Sequence, residues 1–345
     1  MPDHPPRVSV PAVPPVPPVS RGRTRLAPSP TGSLHIGHAR TFLLTWALAR
    51  HEGWEIVLRM EDLDRDRVKP GAIAQTRTVL DWLGLVCDGA MTVQSDHPER
   101  FRAALERLAA RGLVFRCERS RKDVRSAASA PHREDGEVRF PPSLRPAADD
   151  RPRTVVTFEA NHRLLVDPAP ERVEDELHGA LDFDPGSEVG DFLVWTRLGV
   201  PSYQLAVVVD DIHQGVTDVV RGEDLLSSAA RQQLLHRALL DDGGRATIPR
   251  WWHLPLVHDR DGARLAKRRG DLALNSLRAA GVRPERIIGL VAAWCGWLPA
   301  RSECSLTDFQ SLVAPDTLRA VVCRERDPTR RCIADEDSIG WLLTT

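Results

Sequence analysis

Arg23-Thr24-Arg25-Leu26-Ala27-Pro28-Ser29-Pro30-Thr31-Gly32-Ser33-Leu34-His35-Ile36-Gly37-His38-Ala39-Arg40 is the stretch on which the fold turns. Thr24 to Ala27 suits a short strand. Pro28, Pro30 and Gly32 then force a turn, because proline fixes φ and glycine admits positive φ. After Gly37, the residues Ala39, Phe42, Leu43, Trp46, Ala47 and Ala49 recur with the spacing of a helix that has an apolar face. His35 and His38 therefore fall at a strand-to-helix junction, near a helix N-terminus. Exposed N–H groups and the helix dipole favour anions there, phosphates especially. Gly37 lets a flat nucleotide approach the backbone, and two imidazoles can donate to a phosphate whose charge grows in a transition state. Four residues alone fit two surface histidines at a helix start equally well, so the rest of the chain has to decide.

Working outward, 345 residues suffice for two domains, or for one large domain with an insertion. A hydrophobic content of 42% with 28% charged residues suits a soluble globular protein. The formal net charge of -1 gives no bulk attraction to nucleic acid, so such a surface has to be a local patch. Cys87, Cys117, Cys295, Cys304, Cys323 and Cys332 are scattered with no Cys-x-x-Cys pair, so neither a disulfide framework nor a zinc knuckle is indicated. No apolar run is long enough to span a membrane. Prolines stand where a signal peptide needs its apolar core, so the reducing cytoplasm is the expected compartment.

Residues 1–22 form a Pro-rich leader, expected to be disordered because its composition favours extended polyproline conformations. Residues 23–112 read as the first half of a doubly wound domain. Trp54 to Arg59 is strand-like, and its end delivers Glu61, Asp62 and Asp64 to the side where such sheets collect ligands. Glu61 suits a ligand's ammonium group, whereas Asp62 and Asp64 suit capping of the next helix. Residues 71–85 and 97–112 read as amphipathic helices, and two β-α steps imply a parallel sheet. Residues 113–190 read as an insertion: Ser120 to Arg153 is loop-dominated, with short strands at Val155–Phe158 and Leu164–Val166. The second half spans 191–270. The sheet pattern resumes at Asp191–Trp195 and continues with Val216–Val220, a buried strand that ends on Arg221. Ser227 or Ser228 can cap a helix over 229–240, and Trp251–His258 reads as another strand. Residues 271–345 form a helical region and tail, helical over 272–298 and again over Leu306–Val322. Asp210 and Asp211 suit either a metal pair or a capping or RNA-facing role.

The spacing of several motifs carries a resemblance. The His35-Ile36-Gly37-His38 turn and the basic loop Arg264-Leu265-Ala266-Lys267-Arg268 resemble the HIGH and KMSKS signatures of class I aminoacyl-tRNA synthetases. Arg25-Leu-Ala-Pro-Ser-Pro-Thr-Gly32, Arg59-Met-Glu-Asp-Leu-Asp64 and Gly215-Val-Thr-Asp-Val-Val-Arg-Gly-Glu-Asp224 resemble the glutamyl branch of that class. Within it, Tyr203 to Thr217 and Arg221 to Leu226 are most similar to the glutamyl-queuosine tRNA(Asp) synthetases, which resemble a glutamyl-tRNA synthetase without its anticodon-binding domain. The resemblance covers about 23–298. It implies an α/β fold: a Rossmann-type doubly wound parallel sheet, an inserted α+β subdomain and a C-terminal helical region.

It also implies an activity. Such enzymes activate glutamate with ATP and esterify it to the cyclopentenediol of queuosine in the anticodon of tRNA-Asp. Arg25, Leu26, Ala27, Pro28, Ser29, Glu61, Tyr203 and Arg221 would then bind glutamate: guanidiniums for two carboxylates, Glu61 for the ammonium. His35, Gly37, His38 and Lys267 would face ATP, with His35, His38 and Lys267 serving the chemistry. ATP with Mg2+ is the expected substrate complex, and L-glutamate and queuosine-bearing tRNA-Asp are the expected partners of a monomer. The alternatives are a truncated glutamyl-tRNA synthetase charging tRNA-Glu and a degenerate, non-catalytic paralogue. The short stretch after the helical region favours the queuosine acceptor, because a remote anticodon reader needs a further domain.

Two departures stand out. The KMSKS-like loop has Arg264 for its first lysine and Ala266 for its serine, which weakens loop closure while keeping Lys267. Many relatives begin a zinc site in the insertion with Cys-x-Cys, whereas this chain has Cys117-Glu118-Arg119 and no further cysteine until Cys295. One local thiolate cannot make a four-ligand site, so no structural zinc is expected. Metal analysis of the purified protein should therefore find zinc far below stoichiometric amounts. About one zinc per chain, lost in Cys117→Ser, would overturn this expectation.

Overall fold

The computed structural model describes residues 22–119, 123–124, 139–155, 157–240, 247–259, 262, 265, 273–334 and 336–343. Residues 1–21 of the Pro-rich leader lie outside the described residues, as do Arg264, Ala266, Lys267 and Arg268. Strand β1 (Arg23–Leu26) is followed by helix α1 (Ile36–Glu52) and strand β2 (Glu55–Met60). The strands pair in parallel, Arg23 opposite Glu55 and Leu26 opposite Leu58. Helix α1 stops at Gly53, whose φ of 69° is the left-handed conformation that glycine adopts without Cβ strain. Its burial runs unbroken from Phe42 to Ala49, wider than a single apolar face. The cause is that α1 is covered by the sheet and also by the C-terminal helices.

Helices α2 (Ala72–Trp82) and α3 (Pro98–Ala110) bracket strand β3 (Thr92–Val93), which joins β2 in parallel. The acidic residues before α2 do not cap it. Gly71 stands at that N-cap without a side-chain bond, and Asp62 instead accepts from Ser95 N (2.9 Å) and Ser95 Oγ (2.6 Å). Asp64 pairs on the surface with Arg67 at 3.3 Å.

Strands β4 (Val114–Arg116), β5 (His162–Leu164) and, later, β8 (Leu193–Trp195) form a separate antiparallel sheet. The 193–195 stretch therefore does not belong to the parallel sheet, where its apolar run had suggested a place. No strand forms among the described residues of 155–158, and the strand expected at Leu164–Val166 lies two residues earlier. The hairpin β6 (Glu171–Asp175) and β7 (Gly179–Phe183) is an element the sequence patterns did not single out. Its strand β6 has alternating burial, one face in and one out, but carries Glu and Asp at its inward ends.

A short helix α4 (Pro185–Glu188) precedes β8, and α5 (Tyr203–Gln214) follows it, capped by Ser202 and closed by Gly215. Strand β9 (Asp218–Gly222), helix α6 (Leu226–Leu239) and strand β10 (Arg250–Leu254) complete the second half. Neither Ser227 nor Ser228 caps α6: a 3-10 turn over Glu223–Leu225 leads into it, and Ser228 Oγ accepts from Gln204 at 3.1 Å. Strand β10 ends at Leu254, short of His258, because Pro255 has no N–H for the ladder. Strand β10 runs parallel to β9 on one side and to β6 on the other. Strand β9 lies beside β1, joined by a 2.9 Å bond from Thr217 N to the Arg23 carbonyl. The carboxyl ends of β1, β2, β9 and β10 thus open onto one crevice, at the switch point where an open α/β sheet takes its ligands.

Helices α7 (Leu274–Ala279), α8 (Pro284–Trp294), α9 (Leu306–Leu312), α10 (Pro315–Glu325) and α11 (Glu336–Leu343) follow. The run expected as one helix over Leu306–Val322 is broken before Pro315. Leu43, Leu44 and Leu48 of α1 share a core with Ile288, Val291, Phe309 and Val321 of these helices. A buried ion pair reinforces it: Arg40 Nη2 lies 2.5 Å from Glu325 Oε1, and Arg40 Nη1 also reaches the Pro255 carbonyl at 3.1 Å. Removing one member of such a pair strands the other charge. Glu325→Leu is expected to cost about 3–5 kcal/mol in urea denaturation, and Arg40→Leu combined with Glu325→Leu to recover much of that. A loss below about 1 kcal/mol for the single change would mean that the pair behaves like a surface one.

Candidate active site

A cleft of ≈ 1040 Å³ lies at the carboxyl ends of the central strands. Every described residue of the expected set borders it. Arg25 to Ser29 form one wall, and His35, Gly37 and His38 a second. Glu61, Tyr203 and Arg221 reach in from three other elements, and Leu265 closes the far side, its N–H bound to the Val257 carbonyl at 2.9 Å.

The two histidines cap α1. His35 is the N-cap residue, and its Nδ1 accepts from Gly37 N at 3.1 Å. His38 Nδ1 accepts in return from His35 N at 3.0 Å. With both Nδ1 atoms accepting, each ring proton belongs on Nε2, so the pair presents N–H donors beyond the cap. The rings lie 3.8 Å apart at their centroids. Gly37 favours this arrangement, in which the rings are tilted by 42°: a Cβ there would crowd the His35 ring at 3.0 Å. The first turn of α1 contains no acidic residue, which keeps its positive end open to an anion.

Beneath the cleft, Arg59 is the hub. Its Nη1 donates to Asp211 Oδ1 (2.7 Å) and Gln214 Oε1 (2.8 Å), and its Nη2 to Glu61 Oε1 (3.2 Å). Burial opposes the charge on Arg59, but Asp211, Glu61 and Asp210 outweigh it and hold the guanidinium ionised. Burial likewise drives the Glu61 carboxyl up, and Arg59 and Arg25 pull it only part of the way back. Asp211 is buried yet held below the usual carboxylate range by Arg59 and Arg25. Asp210 accepts from Gln94 Nε2 at 2.6 Å and lies 3.2 Å from Arg100 Nε. Asp210 and Asp211 are therefore neither a cap nor an RNA-facing pair. Both are buried anchors for arginines, because α5 turns them toward β2. Nor do they form a metal site: Arg59, Arg100 and Gln94 are their neighbours, and among the described residues no third His, Cys, Asp or Glu joins them.

Two guanidiniums face the cleft with capacity to spare. Arg25 donates from Nη1 to the Val220 carbonyl (2.8 Å), while its Nε stays 3.7 Å from Asp211. Arg221 is held by neutral acceptors: His253 Nε2 (2.9 Å), Gln232 Oε1 (2.7 Å), the Leu225 carbonyl (3.1 Å) and the Tyr203 phenol. It also lies over the Trp251 ring, 5.0 Å from the centroid. Among the described residues no carboxylate stands within ion-pair distance of Arg221. Tyr203 sits at the cleft mouth, 42% exposed. Arg59, Gln232, His253 and Asp175 were not recognised as site residues from sequence, and Asp211 was singled out with a different role. Their signal was faint but present: single polar residues inside apolar runs, such as Arg59 in Ile56–Met60 and Asp210-Asp211 in Leu205–Ile212.

Lys267 lies outside the described residues. Cys117 is buried against Phe115, Val124 and Phe140, and among the described residues no three His, Cys, Asp or Glu side chains converge on a metal-sized site.

Burial sets a pH dependence. His236 and His253 are pushed from the ordinary 6.5 down to about 4, by burial first; Asp211 and Asp175 respectively oppose it. Below about pH 6.5 the unfolded chain takes up these protons before the folded one does, so stability falls as pH drops through the window down to about 4. Glu61 and Asp210, with raised values, act in the opposite sense. The measurable quantity is therefore a difference. Across that window the wild type should lose stability more steeply than His236→Leu, by about 1.4 kcal/mol for every tenfold by which folding weakens proton binding at His236. Identical slopes of urea midpoint against pH would show that His236 is not held neutral.

Comparison with known proteins agrees with this geometry. The family "tRNA synthetases class I (E and Q), catalytic domain" matches residues 22–314. The chain is 42% identical over 329 residues to the Glutamyl-Q tRNA(Asp) synthetase of Symbiobacterium thermophilum, covering 92% of this chain and 97% of that one. It is 39% identical over 300 residues to the Nocardia farcinica protein of the same name, covering 86% and 92%. Against Glutamate--tRNA ligase 1 of Xanthobacter autotrophicus it is 38% identical, covering 83% of this chain and 59% of the ligase. The fold is that of the glutamate-tRNA synthetase of Elizabethkingia anophelis, with a TM-score of 0.71 and 23% identity over 94% of this chain and 70% of that one. The parallel sheet with its cleft, the paired histidines at the start of α1 and the family match over 22–314 together establish that the chain belongs to the class I aminoacyl-tRNA synthetases of the glutamyl and glutaminyl type.

Proposed function

We propose that the protein activates L-glutamate with ATP and transfers it to the queuosine cyclopentenediol in the anticodon of tRNA-Asp. The observation that carries the amino-acid part is the charge pattern of the cleft. Two buried guanidiniums, Arg25 and Arg221, retain donors toward it, and one carboxylate, Glu61, stands beside them. Glutamate brings the complement: two carboxylates and one ammonium. Planar guanidiniums suit bidentate carboxylate recognition, and Glu61 neutralises the ammonium. Tyr203 and Ser29 add hydroxyls at the mouth. Leu26, Ala27 and Pro28 shape the wall between them.

The chemistry needs no side-chain nucleophile. A carboxylate oxygen of glutamate attacks the α-phosphorus of ATP, a P–O bond forms, and the bond to pyrophosphate breaks. The protein positions the reactants and stabilises the growing charge. His35 and His38, with Nε2–H groups at the positive end of α1, serve the phosphates, and Gly37 leaves room for them. Lys267 is assigned by its motif to the departing pyrophosphate. Mg2+ enters on the ATP phosphates as part of the substrate, and among the described residues no cluster of three or more His, Cys, Asp or Glu forms a cage for it. A hydroxyl of the cyclopentenediol then attacks the glutamyl carbonyl, and AMP leaves. The queuosine acceptor is supported by the names of the relatives at 42% and 39% identity. The domain boundaries proposed place the insertion at about 113–200 without the β6–β7 hairpin, which pairs with β10, and keep the others as first given, with a monomer as the acting unit.

ATP–pyrophosphate exchange is expected with glutamate and not with aspartate or glutamine. Labelled glutamate should transfer to tRNA-Asp only when it carries queuosine. Exchange stimulated by another amino acid would reject the pocket assignment, and label on tRNA-Glu alone would favour a glutamyl-tRNA synthetase activity.

A further inference from the structure

Arg221 is unusual among the buried arginines of the cleft. Arg59 is neutralised by Asp211 in direct contact, whereas Arg221 is fixed through neutral acceptors alone. The reason lies in the strand order. His253 on β10 pairs in register with Arg221 on β9, and Asp175 on β6 lies across from Trp251 on the other side of β10. The row across three strands is Asp175 Oδ2 to His253 Nδ1 at 2.6 Å, then His253 Nε2 to Arg221 Nε at 2.9 Å. His253 and Asp175 are fully buried, at 0% and 4% exposure.

A guanidinium can only donate. His253 Nε2 must therefore be unprotonated, and the ring proton sits on Nδ1 and donates to Asp175. The other Asp175 oxygen, Oδ1, is occupied by Leu177 N and His178 N, both at 2.9 Å. Asp175 can thus offer only Oδ2 to the imidazole. The second arm of the clamp is tuned in the same way: Gln232 Oε1 accepts from Arg221 because its amide nitrogen donates to Gln204 Oε1 at 2.8 Å.

We infer that Asp175 and His253 are positioning residues for Arg221: the carboxylate fixes the histidine tautomer, and the histidine holds the guanidinium in line for a substrate carboxylate without neutralising it. This rests on the proposed role of Arg221 in glutamate binding. A carboxylate in the place of His253 would orient Arg221 equally well but would compete with the substrate for its charge. An imidazole interposed between them supplies orientation while moving the negative charge one ring farther away.

Asp175→Asn is the decisive change. Its amide oxygen stays with Leu177 N and His178 N, so its NH2 faces His253 Nδ1. The imidazole must then accept at Nδ1 and carry its proton on Nε2, against the Arg221 Nε–H. The expected result is a KM for glutamate raised about 10- to 100-fold, the equivalent of one buried donor left unpaired, with the KM for ATP little changed and the Tm lowered by only a few degrees. His253→Leu removes the acceptor and should resemble it. His253→Gln keeps a carbonyl acceptor that has no tautomer to control, so it should retain most of the glutamate affinity. In the His253→Gln background, Asp175→Asn should add little. An undiminished Asp175→Asn effect in that background would overturn the inference, as would a wild-type glutamate KM in Asp175→Asn itself. Nitrogen NMR of the imidazoles reads the tautomer without any substrate: His253 should be protonated on Nδ1 in the wild type and on Nε2 in Asp175→Asn. A wild-type Nε2–H would overturn the inference whatever the amino acid activated, whereas absence of glutamate-dependent exchange in the wild type would overturn the proposed function alone.

Discussion

The buried guanidinium of Arg59 is the constraint on which the cleft depends. It sits at the end of β2, 1% exposed, and binds Asp211 and Gln214 of α5 as well as Glu61 one residue beyond its strand. Those groups come from the two halves of the chain, 152 residues apart in the case of Asp211. An ion pair at this depth gains little net stability over an apolar pair, but breaking it strands a charge at a cost of about 3–5 kcal/mol. It therefore acts as a register pin. With α5 held against β2, Asp211 also reaches toward Arg25, and Tyr203 at the start of α5 faces Arg221. One shared cation thus decides where four ligand-facing groups stand.

The same logic recurs at the edge of the site. Arg40, in the second turn of α1, is locked to Glu325 and to the carbonyls at the end of β10. The helix that carries His35 and His38 is thereby fixed to both the central sheet and the C-terminal helices. Preorganisation of this kind matters in phosphoryl and adenylyl transfer, where the protein's contribution is position and field rather than covalent chemistry. Arg40 belongs to the opening motif, yet its partner lies 285 residues away.

Much was legible in the sequence because it was local. Pro28, Pro30 and Gly32 between an apolar strand and an apolar helix marked the turn, and the His35–His38 spacing of three residues put both rings on one helix end. Glu61 and Arg221 were legible because each directly follows or ends a β-branched run, and ligands collect beyond strand ends. The misread parts were those in which neighbours in space overrode local pattern. The hairpin of β6 and β7 hid because half its residues are charged, and its Glu171 and Asp175 are inward-facing only because Gln233 and His253 wait to bind them. Asp191–Trp195 looked like a strand of the central sheet and is a strand of the smaller one, since an apolar run does not say which sheet it joins.

The sequence by itself determined the class of fold, the family and the motif-borne groups of the cleft, such as Arg25, His35, His38, Glu61 and Arg221, because turn residues and motif spacing are short-range properties of the chain. Only the tertiary structure decided which buried charges neutralise each other and which are left for a ligand. Asp210 and Asp211 turned out to be anchors for arginines, and Arg221 is held by the neutral His253 rather than by a carboxylate in direct contact. The physical reason is that a buried ion's partner is chosen by strand order and helix rotation. Those bring together residues 32, 78 and 152 positions apart that no local spacing relates.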